Sequence, residues 1–251
     1  MVNRRTFLAS VALATAALPF SAFAMSLFSS RPKLLVFDVN ETLLDLRKLQ
    51  QAINAEFQSE SAFKQWFSFL LQYSLVDTVT QEYHDFASIG EGALDMVAQA
   101  LGQPVRPTAR KKELLQLVSE LPAHPDVAPA LTALKEAGFR MVTLTNSGGS
   151  TVKKQMAYAG LTDFFEQLRS VEDVKRYKPH PDTYLTTCRQ LKVEPKEALL
   201  VAAHGWDVAG ALRAGLQAAF ISRPGQAQYP LAPRPTHEAA TLEALARQLI
   251  G

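Results

Sequence analysis

Uninterrupted apolar runs recur along the chain, and each ends in a polar cluster. The first lies within residues 33–37 and is followed by Asp38. Short continuous apolar runs are typical of strands that are covered on both faces in a parallel sheet. The same pattern predicts further strands, with a weaker one in third place along the chain, at 140–145, 165–170, 199–203 and 218–221.

The periodicity changes between the first two predicted strands. From residue 47 to 121 the pattern is helical throughout, and within 63–71 the apolar residues recur at i, i+3, i+4, i+7 and i+8, one face of an amphipathic helix. The other predicted helices of this segment cover 83–89, 92–101 and 108–120. After the insertion, one helix is predicted at 127–137, and a loop that begins at Pro224 precedes a last helix at 241–249. The chain therefore predicts an α/β fold, a Rossmann-like parallel sheet core formed by 31–46 and 122–251, with a helical insertion at 47–121.

The first 24 residues have a different pattern. Arg4 and Arg5 precede an apolar run at 9–18, and Ala22-Phe23-Ala24 resembles a small-x-small cleavage site. These features predict a twin-arginine signal peptide at 1–24 and export to a bacterial periplasm. The alternative, a membrane anchor, is less favoured because a span requires roughly 20 apolar residues.

Composition limits the classes of partner. The formal charge is +2, and it falls to zero when Arg4 and Arg5 are removed, because residues 1–24 contain no acidic residue. A near-neutral surface predicts neither nucleic-acid binding nor membrane binding after signal cleavage. The single cysteine, Cys188, cannot form an internal disulfide, so we expect the hydrophobic core alone to hold the fold.

Polar side chains stand at the ends of the predicted strands. Asp38 follows the first strand, and Thr42 comes four residues later. Ligands of open α/β sheets bind at the carboxyl ends of the strands, so these side chains are expected to share one crevice. Later candidates for the same crevice are Thr145 and Asn146 after the second strand, Lys178 in Tyr177-Lys178-Pro179, and Asp207 after the strand at 199–203.

This order of residues resembles the haloacid dehalogenase superfamily over nearly all of the chain after residue 31. The resemblance implies that Asp38 is a nucleophile and that Thr42 fixes its carboxylate. It also implies that Lys178 keeps Asp38 ionised, because an opposite charge within about 4–6 Å favours a charged carboxylate. The helical insertion looks like the cap domain of that superfamily, which closes over the crevice and supplies specificity.

A closer resemblance is to the type II L-2-haloacid dehalogenases. Tyr184 follows Lys178 by six residues, and Trp206-Asp207 precedes small residues, as in that group. The resemblance implies hydrolysis of short 2-haloalkanoic acids to 2-hydroxyalkanoic acids and halide through an aspartyl ester, with a small-molecule haloacid substrate and neither a cofactor nor a metal. The predicted substrate contacts are Asn40, Thr145, Asn146 and Tyr184 from the core, and Trp66 and Phe69 from the cap.

Two other classes remain open from the sequence. Magnesium-dependent phosphatases of the superfamily carry a second Asp where this chain has Asn40, and an acidic pair near the position of His204 and Asp207. Asn40 cannot donate a proton as a carboxylic acid would, and Mg²⁺ gains little from an imidazole. A phosphatase acting on a small phosphate ester remains the alternative, and a non-catalytic binding module is the third possibility.

The departures from the family pattern are informative. Glu41 stands where the type II enzymes commonly have Gly, and His204 stands where they have Asn. We predict that Glu41 accepts a hydrogen bond from one imidazole nitrogen and leaves the other free as the base that activates water. Asp207 is the competing base. An arginine that binds halide in the family is not evident near Phe69.

The aromatic helix at 63–71 carries more apolar residues than one buried stripe requires. Dehalogenases of this superfamily are often homodimers. The sequence therefore predicts a possible homodimer that uses the cap.

Overall fold

The computed structural model describes residues 31–251, so the predicted signal peptide lies outside the described residues. The centre of the fold is a six-stranded sheet in which every neighbouring pair is parallel, in the order β3-β2-β1-β4-β5-β6. The strands are β1 (Leu34–Phe37), β2 (Arg140–Thr145), β3 (Gln167–Ser170), β4 (Ala198–Ala202), β5 (Gln217–Ile221) and β6 (His237–Ala239). The predicted α/β fold is confirmed.

The side chains of β1 alternate between two hydrophobic clusters. Leu35 and Phe37 belong to one cluster, and Leu34 and Val36 belong to the other. Successive residues of a strand point to opposite faces, so the sheet is covered on both sides. This double coverage explains why the strand has four consecutive apolar residues.

The register brings three strand ends together. Phe37 pairs with Thr143 of β2 on one side and with Val201 of β4 on the other. The backbone N–H of Asp38 continues the ladder by donating to Val201 O at 3.0 Å. The residues that follow β1, β2 and β4 therefore meet at the carboxyl ends of these strands.

Helices cover the sheet and form the segment after β1. They are α1 (Arg47–Phe57), α2 (Ala62–Thr80), α3 (Phe86–Ala100), α4 (Thr108–Gln116), α5 (Val127–Glu136), α6 (Gly149–Tyr158), α7 (Pro181–Gln190), α8 (Gly205–Arg213) and α9 (Leu242–Ile250). None of the helices within 31–251 is long and apolar enough to cross a membrane.

The segment from α1 to α4 is all-helical, as the sequence predicts. α2 buries Phe63, Trp66 and Leu70 on its amphipathic face. The two separate helices that the sequence predicts at 83–89 and 92–101 are a single helix, α3. Asp85 fixes its start by accepting from Ala87 N and Ser88 N. The division of the chain at residues 47 and 121 into core and cap remains a prediction.

The prediction of a continuous loop from Pro224 to the last helix was wrong for His237–Ala239. These residues form β6 at the edge of the sheet, paired with β5. Thr236 N donates to Ala218 O at 2.7 Å, and Ser222 N donates to Ala239 O at 2.9 Å. A three-residue strand with one buried side chain has no hydrophobic pattern of its own, because pairing with β5 determines its conformation.

Candidate active site

Asp38 lies directly after β1, and its carboxylate is fixed by its neighbours. The hydroxyl of Thr42 donates to Asp38 Oδ2 at 2.7 Å and accepts from Ala203 N at 2.9 Å, which ties the loop after β1 to the end of β4. Arg223 donates to Thr42 O from Nη2 at 2.9 Å and pairs with Asp126 at 2.8 Å. The turn that carries Asp38 and Thr42 is therefore held at both ends.

Lys178 is fully buried and shares its ammonium group between two carboxylates. Its Nζ donates to Asp38 Oδ1 at 2.7 Å, to Asp207 Oδ2 at 2.6 Å and to Leu144 O at 2.9 Å. Burial alone would lower the pKa of Lys178, but the charges of Asp207 and Asp38 outweigh it and raise that pKa. The lysine therefore stays protonated at neutral pH.

Asp38 is ionised although it is buried. Burial opposes ionisation, but the charge of Lys178 and the hydrogen bond from His204 hold the pKa of Asp38 well below its usual range. A carboxylate in this state has the electron pair that a nucleophile needs and carries no proton to block it.

Tyr184 lies behind Asp207, away from any cavity. Its hydroxyl donates to Asp207 Oδ1 at 2.6 Å, and the side chain is completely buried. Burial and the nearby charge of Asp38 raise the pKa of Asp207. A direct substrate contact of Tyr184 remains a prediction. Tyr184 orients Asp207, because the packing of α7 against α8 brings the phenol to that carboxylate.

Glu41 and His204 are in contact, as the sequence predicts. His204 Nε2 lies 2.7 Å from Glu41 Oε2. The second nitrogen, Nδ1, lies 3.2 Å from Asp38 Oδ2, so the expectation of a free nitrogen was wrong. Burial favours the neutral imidazole, but the hydrogen bonds to Asp38 and Glu41 outweigh it and raise the pKa of His204 to about 9. At neutral pH His204 is an imidazolium between two carboxylates.

The backbone of Glu41 is in the left-handed region, with a φ of 61°. Glycine takes this conformation freely, whereas an L-residue there costs about 1–2 kcal/mol. Gln226 Nε2 donates to Glu41 Oε2 at 3.1 Å, and His124 Nε2 lies 3.1 Å from Glu41 O. The strained backbone of Glu41 thus occurs where its carboxylate contacts His204. Gln226, from a loop that is distant in sequence, helps to hold that carboxylate in place.

Two aromatic rings lie close to the imidazole of His204. The centroid of Phe67 lies 6.1 Å from that of the imidazole, and the centroid of Trp206 lies 5.2 Å from it in a stacked arrangement. Phe67 belongs to α2, so the helical segment contributes directly to this site. Ring faces carry negative potential and favour a cation near them.

A cavity of about 80 Å³ lies between α2 and the strand ends. Its lining includes Trp66 and Phe67 from α2, and Asn40 and Ser147 from the core. The remaining lining residues are mostly apolar, and none of the described ones is Lys or Arg. Trp66 borders the cavity, whereas Phe69 packs against the hydrophobic core and is not among the lining residues. The substrate contacts of both side chains remain predictions.

The amide of Asn40 is held at both ends. Its Nδ2 donates to Ser147 Oγ at 3.2 Å, and its Oδ1 accepts from Gln155 Nε2 at 2.9 Å. Asn40 therefore presents a fixed polar group at the cavity.

Thr145 and Asn146 support the site from the end of β2. Thr145 Oγ1 accepts from Ser147 N at 3.2 Å, and Asn146 Oδ1 accepts from Lys178 N at 2.9 Å. Neither lines the cavity, so a direct substrate contact of these side chains remains a prediction. The buried Nδ2 of Asn146 has no hydrogen-bond partner among the described residues.

Sequence reasoning missed Ser147, Gln155, Gln226 and Phe67. Ser147 had a signal, since it follows the strand-end residues Thr145 and Asn146 directly. Phe67 is one position along the same predicted helix from Trp66. Gln155 and Gln226 had no signal, because an isolated amide in a helix or loop has no motif of its own.

Comparisons with known proteins agree with this geometry. The chain is 33% identical over 218 residues to (S)-2-haloacid dehalogenase 1 of Pseudomonas sp. (strain CBS-3), over 86% of this chain and 95% of that protein. The structure matches that of L-2-haloacid dehalogenase from Xanthobacter autotrophicus with a TM-score of 0.81 and 28% identity, over 88% of this chain and 99% of the other.

The Xanthobacter autotrophicus enzyme with chloropropionic acid covalently bound matches with a TM-score of 0.80 and 27% identity, over the same shares of 88% and 99%. A family model for haloacid dehalogenase-like hydrolases matches residues 32–215. The chain belongs to the haloacid dehalogenase-like hydrolases.

Proposed function

We propose that the protein hydrolyses short 2-haloalkanoic acids, of the (S) configuration where the carbon is chiral, to 2-hydroxyalkanoic acids and halide. The observation that carries this proposal is the buried, ionised Asp38, held by Thr42 and Lys178 and placed two residues before Asn40, which lines a small cavity. The similarity to proteins named (S)-2-haloacid dehalogenase supports the same reaction.

The first step is displacement at carbon. An oxygen of Asp38 forms a bond to the halogen-bearing carbon, and the carbon–halogen bond breaks with its electron pair going to the halide. The product is an ester of Asp38, which water then hydrolyses. This route replaces one difficult step with two easier ones.

Asp207 is the candidate base for the second step. Burial raises its pKa and persists after Asp38 is alkylated, so its carboxylate is a better proton acceptor than an exposed one. Lys178 joins Asp207 to Asp38 and keeps the two carboxylates in fixed positions. Tyr184 fixes the other oxygen of Asp207.

The cavity fits a short substrate. A volume of about 80 Å³ with a mostly apolar lining accommodates a small alkyl group and its halogen. Asn40, Ser147 and the unpartnered Nδ2 of Asn146 are the candidate groups for the substrate carboxylate. No arginine borders the cavity among the described residues, so halide leaves here without the guanidinium that the family resemblance implies.

The site supports a phosphatase less well. Lys178 donates to one oxygen of Asp38 and to one oxygen of Asp207, so each of these carboxylates already has a cationic partner. Asn40 stands in place of a general acid, and its amide is already held by Ser147 and Gln155. Halide needs no protonation to leave, so the dehalogenase reaction loses nothing from these features.

We further propose that the signal segment at residues 1–24 directs the protein to the periplasm. We also propose that the mature protein acts on its small-molecule substrate as a homodimer. The paired arginines before an apolar run support the first proposal. Exposed apolar residues on the outer side of α2 support the second, namely Tyr73, Leu75, Val76 and Val79.

Halide release tests the proposed function directly. The purified protein is incubated with chloroacetate, bromoacetate, fluoroacetate and each enantiomer of 2-chloropropionate, with and without EDTA. We expect halide release from at least one of these acids, unchanged by EDTA, and faster release from the (S) than from the (R) enantiomer.

Hydrolysis of a phosphate ester that EDTA abolishes and Mg²⁺ restores, with no halide from any haloacid, would contradict the proposal. The Asp38→Asn variant is the control, and it should release no halide.

A further inference from the structure

The two oxygens of Asp38 have different surroundings. Oδ2 accepts from Thr42 at 2.7 Å and faces Nδ1 of His204 at 3.2 Å. Oδ1 accepts from Lys178 at 2.7 Å and from no other described group. The oxygen with fewer donors keeps a free electron pair, so Oδ1 is the one placed to attack carbon. Oδ2 then becomes the carbonyl oxygen of the ester.

We propose that His204 is a catalytic residue of ester hydrolysis, acting as an imidazolium that donates from Nδ1 to the negative charge formed on Asp38 Oδ2. This inference rests on the proposed function and assigns a chemistry opposite to that of a base. Thr42 supplies the second donor to the same oxygen. Preorganised donors aimed at a developing oxyanion are among the largest contributions to catalysis of acyl transfer.

Hydrolysis of the Asp38 ester proceeds through a tetrahedral intermediate. The oxygen of water forms a bond to Cγ of Asp38, one proton of that water goes to Asp207, and the carbonyl electron pair moves to Oδ2. When the intermediate collapses, the bond between Cγ and Oδ1 breaks, and the departing alkoxide takes the proton from Asp207. The carboxylic acid of Asp38 then loses the remaining proton of the water to solvent, and the carboxylate is restored.

Glu41 keeps the imidazole charged when Asp38 cannot. Alkylation removes the negative charge of Asp38, so Glu41 is then the only described carboxylate in contact with the ring. Gln226 holds the Glu41 oxygen that accepts from His204. A neutral Gly or Gln at position 41 would leave the cation without its partner at the step that needs it, which explains why an L-residue is tolerated at a φ of 61°.

Other charged groups around His204 support a cation. Lys178 and Asp207 lie across Asp38 and neutralise one another, and His124 lies on the far side of Glu41 with a pKa lowered by burial. From α2 and α8 the rings of Phe67 and Trp206 face the imidazole and carry no charge. Lys178 titrates above its usual range, so it stays charged over the interval in which His204 loses its proton.

The sign of the pH dependence separates a cation from a base. His204 is protonated below a pKa of about 9 in the free protein, and the loss of the Asp38 charge on alkylation moves that pKa down. An oxyanion donor at this position therefore loses activity as pH rises, with a midpoint below the pKa of about 9 of the free protein. A base at the same position would do the reverse and gain activity over this interval.

The experiment measures halide in rapid-mixing reactions with the haloacid that the wild-type protein turns over fastest, from pH 6 to 10. It compares wild type, His204→Ala and His204→Asn, because an amide can donate an N–H but does not titrate. Wild type and both variants should release the first halide rapidly, and the two variants should show it as a burst of one halide per site before slow turnover. Release of this first halide shows that each protein is folded and that Asp38 is alkylated. The ester should be visible as added mass on the intact protein.

After the burst, we expect His204→Ala to turn over about 10²–10³-fold more slowly than wild type, the usual loss for one oxyanion donor. His204→Asn should recover at least tenfold of that loss, and its turnover should be flat with pH where wild type declines. Turnover that rises with pH in wild type, together with a His204→Asn variant as slow as His204→Ala, would overturn the inference in favour of a base.

Normal turnover in both variants would also overturn it. Absence of halide release from wild type with every haloacid tested would instead contradict the proposed function itself, so the two failures are distinguishable. Asp38→Asn is the control without a burst.

Discussion

Lys178 is the side chain on which the charges of the site depend. Two carboxylates that are nearly or completely buried, Asp38 and Asp207, share this one ammonium group. Removal of one partner from a buried ion pair leaves an uncompensated charge, which is far more costly than loss of an exposed pair. The same lysine that prepares the nucleophile therefore also stabilises the fold.

The Lys178→Met variant tests this dual role. We expect its free energy of unfolding at pH 7 to fall by about 3–5 kcal/mol, because Asp38 and Asp207 lose their counter-ion. The rate of halide release in the first turnover should also fall, since the pKa of Asp38 rises when Lys178 is absent. Urea unfolding and rapid-mixing halide assays measure the two effects.

Lys33→Met is the matched control, because Lys33 pairs with Glu197 at 2.6 Å but is 66% exposed. Its free energy of unfolding should change far less, and its first-turnover rate of halide release should equal that of wild type. Equal stability losses in Lys178→Met and Lys33→Met would contradict the account of the buried network.

At the residue scale, the sequence could predict the groups that follow a fixed spacing. Asp38 and Thr42 stand four residues apart after a recognisable strand, and Lys178 precedes Tyr184 by the six residues that the family pattern has. The contact of Glu41 with His204 could be predicted from strand order, but the protonation state could not. It depends on Nδ1 lying 3.2 Å from Asp38, a distance that only the packed structure fixes.

At the scale of elements, the position of Asp207 depends on close packing of α8. A Cβ atom added at Gly210 would lie 2.3 Å from Pro179 Cβ and 2.8 Å from the hydroxyl of Tyr184. The proline ring cannot move aside easily, and Tyr184 holds Asp207. Glycine at this point therefore lets α8 approach the loop that carries Lys178.

The Gly210→Ala variant should be less stable by about 1–3 kcal/mol, the usual cost of overpacking, and its turnover should fall because Tyr184 and Asp207 are displaced. Gly92→Ala in α3 is the matched control. Nothing lies within 4 Å of the Cβ that it would add, so it should gain up to about 1 kcal/mol from helix propensity. Thermal unfolding of both variants and their halide turnover provide the check.

Destabilisation of Gly92→Ala by as much as Gly210→Ala would show that the loss is not local packing. The two glycines also show the limit of sequence reasoning about elements. Both occur in helical patterns, and only the packing of α7 and α8 separates them. For the same reason β6 escaped prediction, since its only support is its neighbour β5.

At the scale of the whole molecule, the fold class follows from the sequence because β1, β4 and β5 carry continuous apolar runs that no edge strand needs. β2 is apolar apart from Arg140 and its two threonines. The parallel order of the strands brings Asp38, Lys178, His204 and Asp207 to one edge of the sheet. The size of the cavity could not be predicted, because it depends on how α2 sits over the strand ends. The homodimer and the export signal remain predictions.

The central claim is that Asp38 forms an ester with the substrate carbon. Single-turnover hydrolysis in ¹⁸O-labelled water, with protein in excess over haloacid, tests it most directly. In the ester route the product oxygen comes from Asp38 and the oxygen of water is left on Asp38. The account predicts unlabelled 2-hydroxyalkanoic acid and one ¹⁸O in the peptide that contains Asp38. Label found directly in the product, with an unlabelled Asp38 peptide, would contradict it.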